Sequence, residues 1–159
     1  MKIIVHIAEY KIAHNSGILL TNGLGSCVAI ALYDGRQKLG GLLHFLLPDS
    51  SLSVDVSNPA KFADMGTDQL VYDMLESGAN IKNIRAKIVG GANMFSQIRR
   101  ANYVPIGTRN IEAAKTNLER HGIPIVAEDT GKDFGRSVEF HLDSGILIVK
   151  SFKMGVVEL

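Results

Sequence analysis

Ser26-Cys27-Val28-Ala29-Ile30-Ala31-Leu32-Tyr33-Asp34-Gly35-Arg36-Gln37-Lys38-Leu39-Gly40-Gly41-Leu42-Leu43-His44-Phe45-Leu46-Leu47 is two β-compatible apolar runs around a polar turn. Ser26 to Tyr33 and Lys38 to Leu47 flank Asp34-Gly35-Arg36-Gln37, the pattern of a β-hairpin. If Gly35-Arg36 is a two-residue loop, glycine at the first central position suits a type II′ turn and residue 34 pairs with residue 37. Cys27 then falls directly opposite His44, with Cβ atoms roughly 4.5–5.5 Å apart. If the loop is Asp34-Gly35, Leu42 falls opposite Cys27 and His44 is a diagonal neighbour about 7 Å away. Both registers keep Cys27 and His44 on one face. Val28, Ile30, Leu32, Leu39 and Leu43 make the opposite, core-like face. The face shared by Cys27, Ala29, Ala31, Gly40, Leu42 and His44 is mostly small, which suits either close sheet packing or a slot beside the thiol.

Cys27 is the sole cysteine, so it forms no internal disulfide. Free cysteine commonly behaves as a small buried hydrophobe, and taken alone Cys27 reads first as structural. His44 reads equally as a hydrogen-bonded core histidine, and Thr21 as an ordinary strand or turn residue. Their grouping has a chemical reading as well. A thiol with a reference pKa of about 8.5 becomes a nucleophile near neutrality when an imidazolium stabilises its thiolate. The histidine then returns the proton to a leaving amine. Thr21, six residues before Cys27, is a candidate to orient the ring. Gly23-Leu24-Gly25-Ser26 can turn N–H groups toward an oxyanion, which makes Gly25 and Ser26 candidates for oxyanion or substrate positioning. The reaction class is acyl transfer from an amide.

The 159 residues suit one domain, residues 1–159, with one good core. With 46% hydrophobic and 21% charged residues the chain is globular, and 17 basic against 16 acidic side chains exert no broad pull on nucleic acid or anionic lipid. No apolar run reaches about 18 residues and no charged-then-apolar leader opens the chain, so no membrane insertion is expected. A cytoplasmic, reducing setting follows, in which a thiol stays usable.

Strands alternate with two helices, without repeats or linkers. Lys2 to Ile7 reads as a strand and Gly17 to Leu20 as a short one. Leu52 to Pro59 is loop-like and follows the His44 strand. Asn58-Pro59 signals the start of a helix to about Ser77, with Phe62, Leu70, Val71, Met74 and Leu75 on one face and Gly78 as its stop. Arg85 to Val89 is a strand ending in Gly90-Gly91, without the remainder of a nucleotide-binding pattern. Met94-Phe95 is either an exposed contact, with Phe95 a candidate for partner binding, or a core anchor, and the core reading ranks first. A second helix runs from about Asn110 to His121, burying Ile111, Ala114 and Leu118. Strands follow near Ile125 to Glu128, Arg136 to Leu142 and Ile146 to Lys150. His6, His14, His121 and His141 lack the spacing of a zinc site, and neither metal nor cofactor is expected. Glu128-Asp129-Thr130-Gly131 lacks the ligand pattern of an EF-hand and reads as a structural loop. Arg136 pairs either with those acids or with a substrate carboxylate.

Thr21-Asn22-Gly23-Leu24-Gly25-Ser26-Cys27-Val28-Ala29-Ile30, then Gly40-Gly41-Leu42-Leu43-His44 with Leu47-Pro48-Asp49-Ser50, resembles the signature of the CheD family, the chemoreceptor glutamine deamidases of bacterial and archaeal chemotaxis. Lys61-Phe62-Ala63-Asp64, Lys87 through Phe95, Ile106-Gly107-Thr108-Arg109-Asn110, Ala127 through Gly131 and Arg136-Ser137-Val138-Glu139 resemble its further blocks, in order. The resemblance implies a cysteine hydrolase that converts receptor glutamines to glutamates through a thioester and releases ammonia. Cys27 matches the nucleophile, His44 the general acid/base and Thr21 the residue that positions the histidine. It also implies an α/β layered sandwich of α+β type, with mixed β-sheets packed with two main helices, related to the catalytic part of cytotoxic necrotising factor toxins. The implied partners are a chemoreceptor cytoplasmic domain as substrate and a CheC-type phosphatase that competes with it. The alternative is a non-catalytic activator of that phosphatase, for which the thiol is dispensable.

Overall fold

Both faces of the hairpin are covered, and by different layers. In the computed structural model, which describes residues 1–95 and 102–159, its strands are β4 (Val28–Asp34) and β5 (Leu39–Phe45). They are central in a five-stranded sheet of order β2-β5-β4-β6-β7, with β2 at Glu9–His14, β6 at Ile84–Gly90 and β7 at Ile125–Thr130. All pairings in this sheet are antiparallel except β6 with β7, which run parallel. A second sheet has the order β1-β3-β8-β9-β10, built from Lys2–Ile4, Ile18–Leu24, Arg136–His141, Ile146–Ser151 and Gly155–Glu158. Helices α1 (Ala63–Glu76) and α2 (Ile106–Arg120) cover the outer face of the first sheet. The layers are therefore helices, sheet and sheet, the α+β sandwich of mixed sheets and two main helices expected above.

Period-two alternation sends the two sets of hairpin side chains into two cores. Val28, Ile30, Leu32, Leu39, Leu43 and Phe45 pack with Leu70, Met74, Ala114 and Leu118 of the helices. Ala29, Ala31 and Leu42 meet Leu19, Val138, Phe140, Leu147 and Val149 of the second sheet, with Cys27 at the border. The small residues bring the sheets close: a Cβ on Gly40 would lie 2.4 Å from Leu142 Cδ2 and 3.0 Å from Phe140 Cε2.

Helix α1 buries Ala63, Gly66, Thr67, Leu70, Val71 and Met74, a stripe of three- and four-residue steps. It starts later than Asn58-Pro59 signals. Those residues cap a single 3-10 turn, Pro59–Lys61, after which Phe62 is extended (φ −119°, ψ 143°) and forms a parallel bridge with Leu47. Burial of the Phe62 ring at that bridge separates the turn from the helix, and Leu75 is exposed. Helix α2 begins at Ile106, directly after Pro105, which ends the extended approach, and buries Gly107, Asn110, Ala114, Asn117 and Leu118.

The strand expected over residues 2–7 ends at Ile4. Ala8 takes a positive φ of 60° and turns the chain into β2, which crosses to the other sheet. Strand β3 runs past Leu20 to Leu24, with a register shift between Thr21 and Leu24 where Gly23 has φ 71°. That irregularity places Thr21 within a strand rather than in the glycine turn.

Candidate active site

The hairpin register differs from both expected ones. Val28 pairs with Phe45, Ala29 with His44 and Asp34 with Leu39, so Gly35 to Lys38 form a four-residue loop. The cause is the buried Asp34 side chain. Its Oδ1 accepts the Arg36 N–H at 3.0 Å and the Gln37 N–H at 3.3 Å, while Oδ2 accepts the Asn80 N–H at 2.9 Å. Asp34 thereby organises a wider turn than a two-residue loop allows. Cys27 is not directly opposite His44: Ala29 is, and Cys27 stands just outside the ladder on the same face.

Beyond Val28 and Phe45 the two strands separate. On the β5 side, the N–H groups of Leu46 and Leu47 both donate to Lys61 O at 3.0 Å. On the β4 side, Gly91 N–H donates to Cys27 O at 2.8 Å and Ala92 N–H to Gly25 O at 2.9 Å. Gly90, at φ 111°, makes that approach possible, since a Cβ there would sit 2.4 Å from Cys27 O. The glycine pair serves the backbone of the thiol segment. Asn110 of α2 bridges the fork, its Nδ2 donating to Ser26 O at 3.0 Å and Leu46 O at 2.8 Å.

His44 projects from β5 into the gap between the sheets and is 1% exposed. Thr21 Oγ1, on β3 of the other sheet, lies 2.8 Å from His44 Nδ1 and 2.6 Å from Val5 O. A hydroxyl has one hydrogen, and the carbonyl of Val5 can only accept it. Thr21 therefore donates to Val5 O and accepts from Nδ1–H. This assigns the tautomer, leaving the lone pair on Nε2, which is buried without a polar partner among the described residues.

Burial lowers the His44 pKa to about 4, so the ring is neutral near pH 7. Burial also pushes the half-buried Cys27 thiol up, opposed in smaller part by hydrogen bonding from its own backbone N–H. Both shifts favour the neutral forms, thiol and imidazole. A buried neutral imidazole can act as a base at the moment of attack.

A cavity of about 310 Å³ opens beside Ser26, lined by Ala92, Asn93, Met94, Phe95, Tyr103, Pro105, Ile106 and Gly107. Phe95 and Met94 are 73% and 49% exposed, so they are not core anchors. The segment between Gly90 and Phe95 is spent on reaching the thiol, which keeps these two side chains at the rim. Gly25, with its N–H on Gly23 O at 3.1 Å, and Ser26 belong to the same segment as Cys27. Arg136, whose side chain is fully buried, pairs with Asp129 at 3.1 Å and donates to Gly131 O at 2.9 Å, tying β7 to β8. Glu128 to Thr130 are thus strand rather than the expected loop, because they pair with Ile88 to Gly90, and Arg136 takes the acidic partner of the two expected for it.

Sequence reading missed four contributors. Val5 acts through its carbonyl, which carries no side-chain signal. Gly90 and Gly91 were legible only as an incomplete nucleotide pattern. Asn110 did carry a signal: a polar amide at the start of the stripe Asn110, Ala114, Asn117, Leu118.

Fold and site together define an α+β sandwich in which Thr21 is hydrogen-bonded to His44 across the intersheet gap and Cys27 stands on the same hairpin face as His44. The family model described as CheD chemotactic sensory transduction matches residues 46–151. A relative from Caldanaerobacter subterraneus subsp. tengcongensis, named probable chemoreceptor glutamine deamidase CheD, is 48% identical over 96% of this chain and 94% of its own. A protein of the same name from Clostridium tetani is 45% identical over 98% of this chain and 94% of its own. The chain belongs to the CheD family. Among solved structures, the Bacillus licheniformis hypothetical protein YfiH aligns over 71% of this chain and 46% of its own at 18% identity and a TM-score of 0.43.

Proposed function

We propose that this protein, as one CheD-like domain over residues 1–159, is a chemoreceptor glutamine deamidase with Cys27 as nucleophile, His44 as general acid/base and Thr21 as the residue that orients His44. The observation that carries the reading is the tautomer assigned by Thr21 and Val5, which leaves Nε2 as the basic nitrogen on the face shared with the thiol. Membership in a family whose relatives bear the deamidase name supplies the substrate class.

In this mechanism Nε2 takes the thiol proton as sulfur attacks the glutamine side-chain carbonyl carbon. The carbon–oxygen π electrons move onto oxygen, and the Cys27 N–H donates to the developing oxyanion. Collapse of the tetrahedral adduct expels the amide nitrogen, which takes the proton from Nε2 and leaves as ammonia. Water then attacks the thioester, giving its proton to Nε2, and the thiolate leaves and is reprotonated. The product is glutamate, and no redox partner is needed. Ser26, at the cavity wall, and Gly25 position the side chain as it enters.

Competition by a CheC-type phosphatase at this entrance, with Phe95 in the contact, is part of the same proposal and rests on the exposed ring beside the cavity. A cytoplasmic setting fits a receptor cytoplasmic domain as substrate. Among the described residues no helix is long and apolar enough to cross a membrane.

The test is mass spectrometry of a chemoreceptor cytoplasmic fragment incubated with this protein or its Cys27→Ala variant. A gain of about one dalton at particular glutamines, seen only with the intact thiol, is expected from exchange of NH₂ for OH. Turnover retained by Cys27→Ala sinks the nucleophile assignment. No shift, with CheC binding detected, favours the non-catalytic activator.

A further inference from the structure

We infer that Asn110 is a positioning residue that aims the Cys27 N–H at the oxyanion by holding the Ser26–Cys27 peptide plane. The inference rests on the deamidase reading above. Asn110 is fully buried on α2, and its Nδ2 lies within hydrogen-bond distance of two carbonyl oxygens, Ser26 O at 3.0 Å and Leu46 O at 2.8 Å. Carbonyls only accept, so the side-chain amide must present NH₂ to both, and its orientation is fixed. Its Oδ1 is buried without a partner among the described residues, so the side chain is held for its two donors alone.

The peptide geometry carries the rest. No peptide bond among the described residues is cis, and in a planar trans unit the C=O and N–H point in opposite directions. With Ser26 C=O drawn toward α2, the Cys27 N–H of the same unit faces away from the helix. A donor beside the attacking sulfur is where the oxygen of a tetrahedral adduct needs one. Gly25 O and Cys27 O are held in turn by the Ala92 and Gly91 N–H groups, so three consecutive carbonyls are anchored. Among the described residues, Asn110 supplies the only side-chain anchor of the three. By holding Leu46 O as well, it joins the thiol segment to the strand that carries His44.

The test compares Asn110→Asp and Asn110→Ser with the unaltered protein in three measurements: kcat and KM on a receptor fragment, the rate of Cys27 carbamidomethylation by iodoacetamide, and the thermal midpoint. Alkylation passes through no oxyanion, so it separates aiming of the N–H from general distortion. Asn110→Asp keeps the shape but loses both donors, and its kcat is expected to fall about tenfold to a hundredfold with KM and alkylation within about threefold. Asn110→Ser, which keeps one donor, is expected to fall between. Unchanged kcat in a folded Asn110→Asp variant overturns the inference, as does a parallel fall in kcat, alkylation rate and thermal midpoint. An inactive unaltered protein sinks the deamidase reading as well, whereas an active one with active variants sinks this inference alone. If neither variant folds, the unaltered protein labelled with ¹⁵N is treated with a peptide aldehyde derived from glutamine, to which the thiol adds across C=O. A downfield shift of the Cys27 amide proton is then expected, and an adduct without that shift overturns the inference.

Discussion

The hydroxyl of Thr21 and the Nδ1 of His44 lie 2.8 Å apart across the gap between two sheets that share no strand. The hydrogen bond therefore reports how the sheets are docked as well as which tautomer the ring adopts. Thr21→Val keeps the shape and leaves both Nδ1–H and Val5 O without a partner. A buried unsatisfied group costs about 1–3 kcal/mol, and a ring free to change tautomer loses its basic Nε2 for part of the time. Thr21→Val is expected to lower both the urea midpoint and the deamidation rate, and Thr21→Ser to restore most of each. A Thr21→Val variant with full turnover removes Thr21 from the site.

Stability should fall in acid because His44 is buried neutral. Its folded pKa, about 4, lies below the ordinary value of 6.5, so above pH 6.5 neither folded nor unfolded chain carries the proton and the contribution is complete. Between pH 6.5 and 4 the unfolded chain takes the proton first, and on the order of 3 kcal/mol is lost across that window. Urea melts at several pH values should show a smaller acid loss for His44→Asn than for the unaltered protein. Equal losses in the two proteins remove His44 as the source.

A neutral thiol–imidazole pair, which both shifts favour, has a signature in thiol chemistry. Because burial raises the Cys27 pKa and lowers that of His44, the rate of carbamidomethylation should climb through and beyond the ordinary thiol range. A plateau in rate from weakly acidic to neutral pH is the mark of a thiolate–imidazolium pair and would refute the neutral one.

Gly90→Ala tests the backbone approach behind the thiol. The new Cβ would sit 2.4 Å from Cys27 O on a residue with φ 111°, so either the strand end or the thiol segment must move. Strain of this kind costs about 1–3 kcal/mol. Urea denaturation should register that loss, and turnover should fall with it because Cys27 is displaced. A variant of unchanged stability shows that Gly90 and Cys27 are not in this contact.

Much of the fold was legible because local pattern and burial agree in its centre. The hairpin runs, the stripe of α1 and the glycine stops at Gly78 and Gly122 rest on side-chain alternation and on φ values that glycine tolerates. The missed strands, β2 and β10, are edge strands: Glu9-Tyr10-Lys11-Ile12-Ala13-His14 is half-exposed, and Gly155 to Glu158 is mostly so. With one side open to water, such strands need little apolar alternation and give little signal. The early end of the first strand and the late start of α1 were hidden for another reason, since Ala8 and Phe62 take conformations imposed by neighbours distant in sequence.

The same division runs through the site. That Cys27 and His44 share a face followed from the sequence alone, because every hairpin register considered, and the one adopted, preserves side-chain parity. The residue types Cys27, His44 and Thr21 also named acyl transfer as the chemistry. Which residue faces His44 was decided by the Asp34 side chain, whose bonds to Arg36, Gln37 and Asn80 widen the turn. Which nitrogen of His44 is basic was decided by the carbonyl of Val5, a group every residue carries and no sequence pattern marks. Parity and side-chain chemistry are properties of the chain, whereas register, tautomer and peptide orientation depend on which backbone groups are brought together, and only the docking of the two sheets and α2 brings these together.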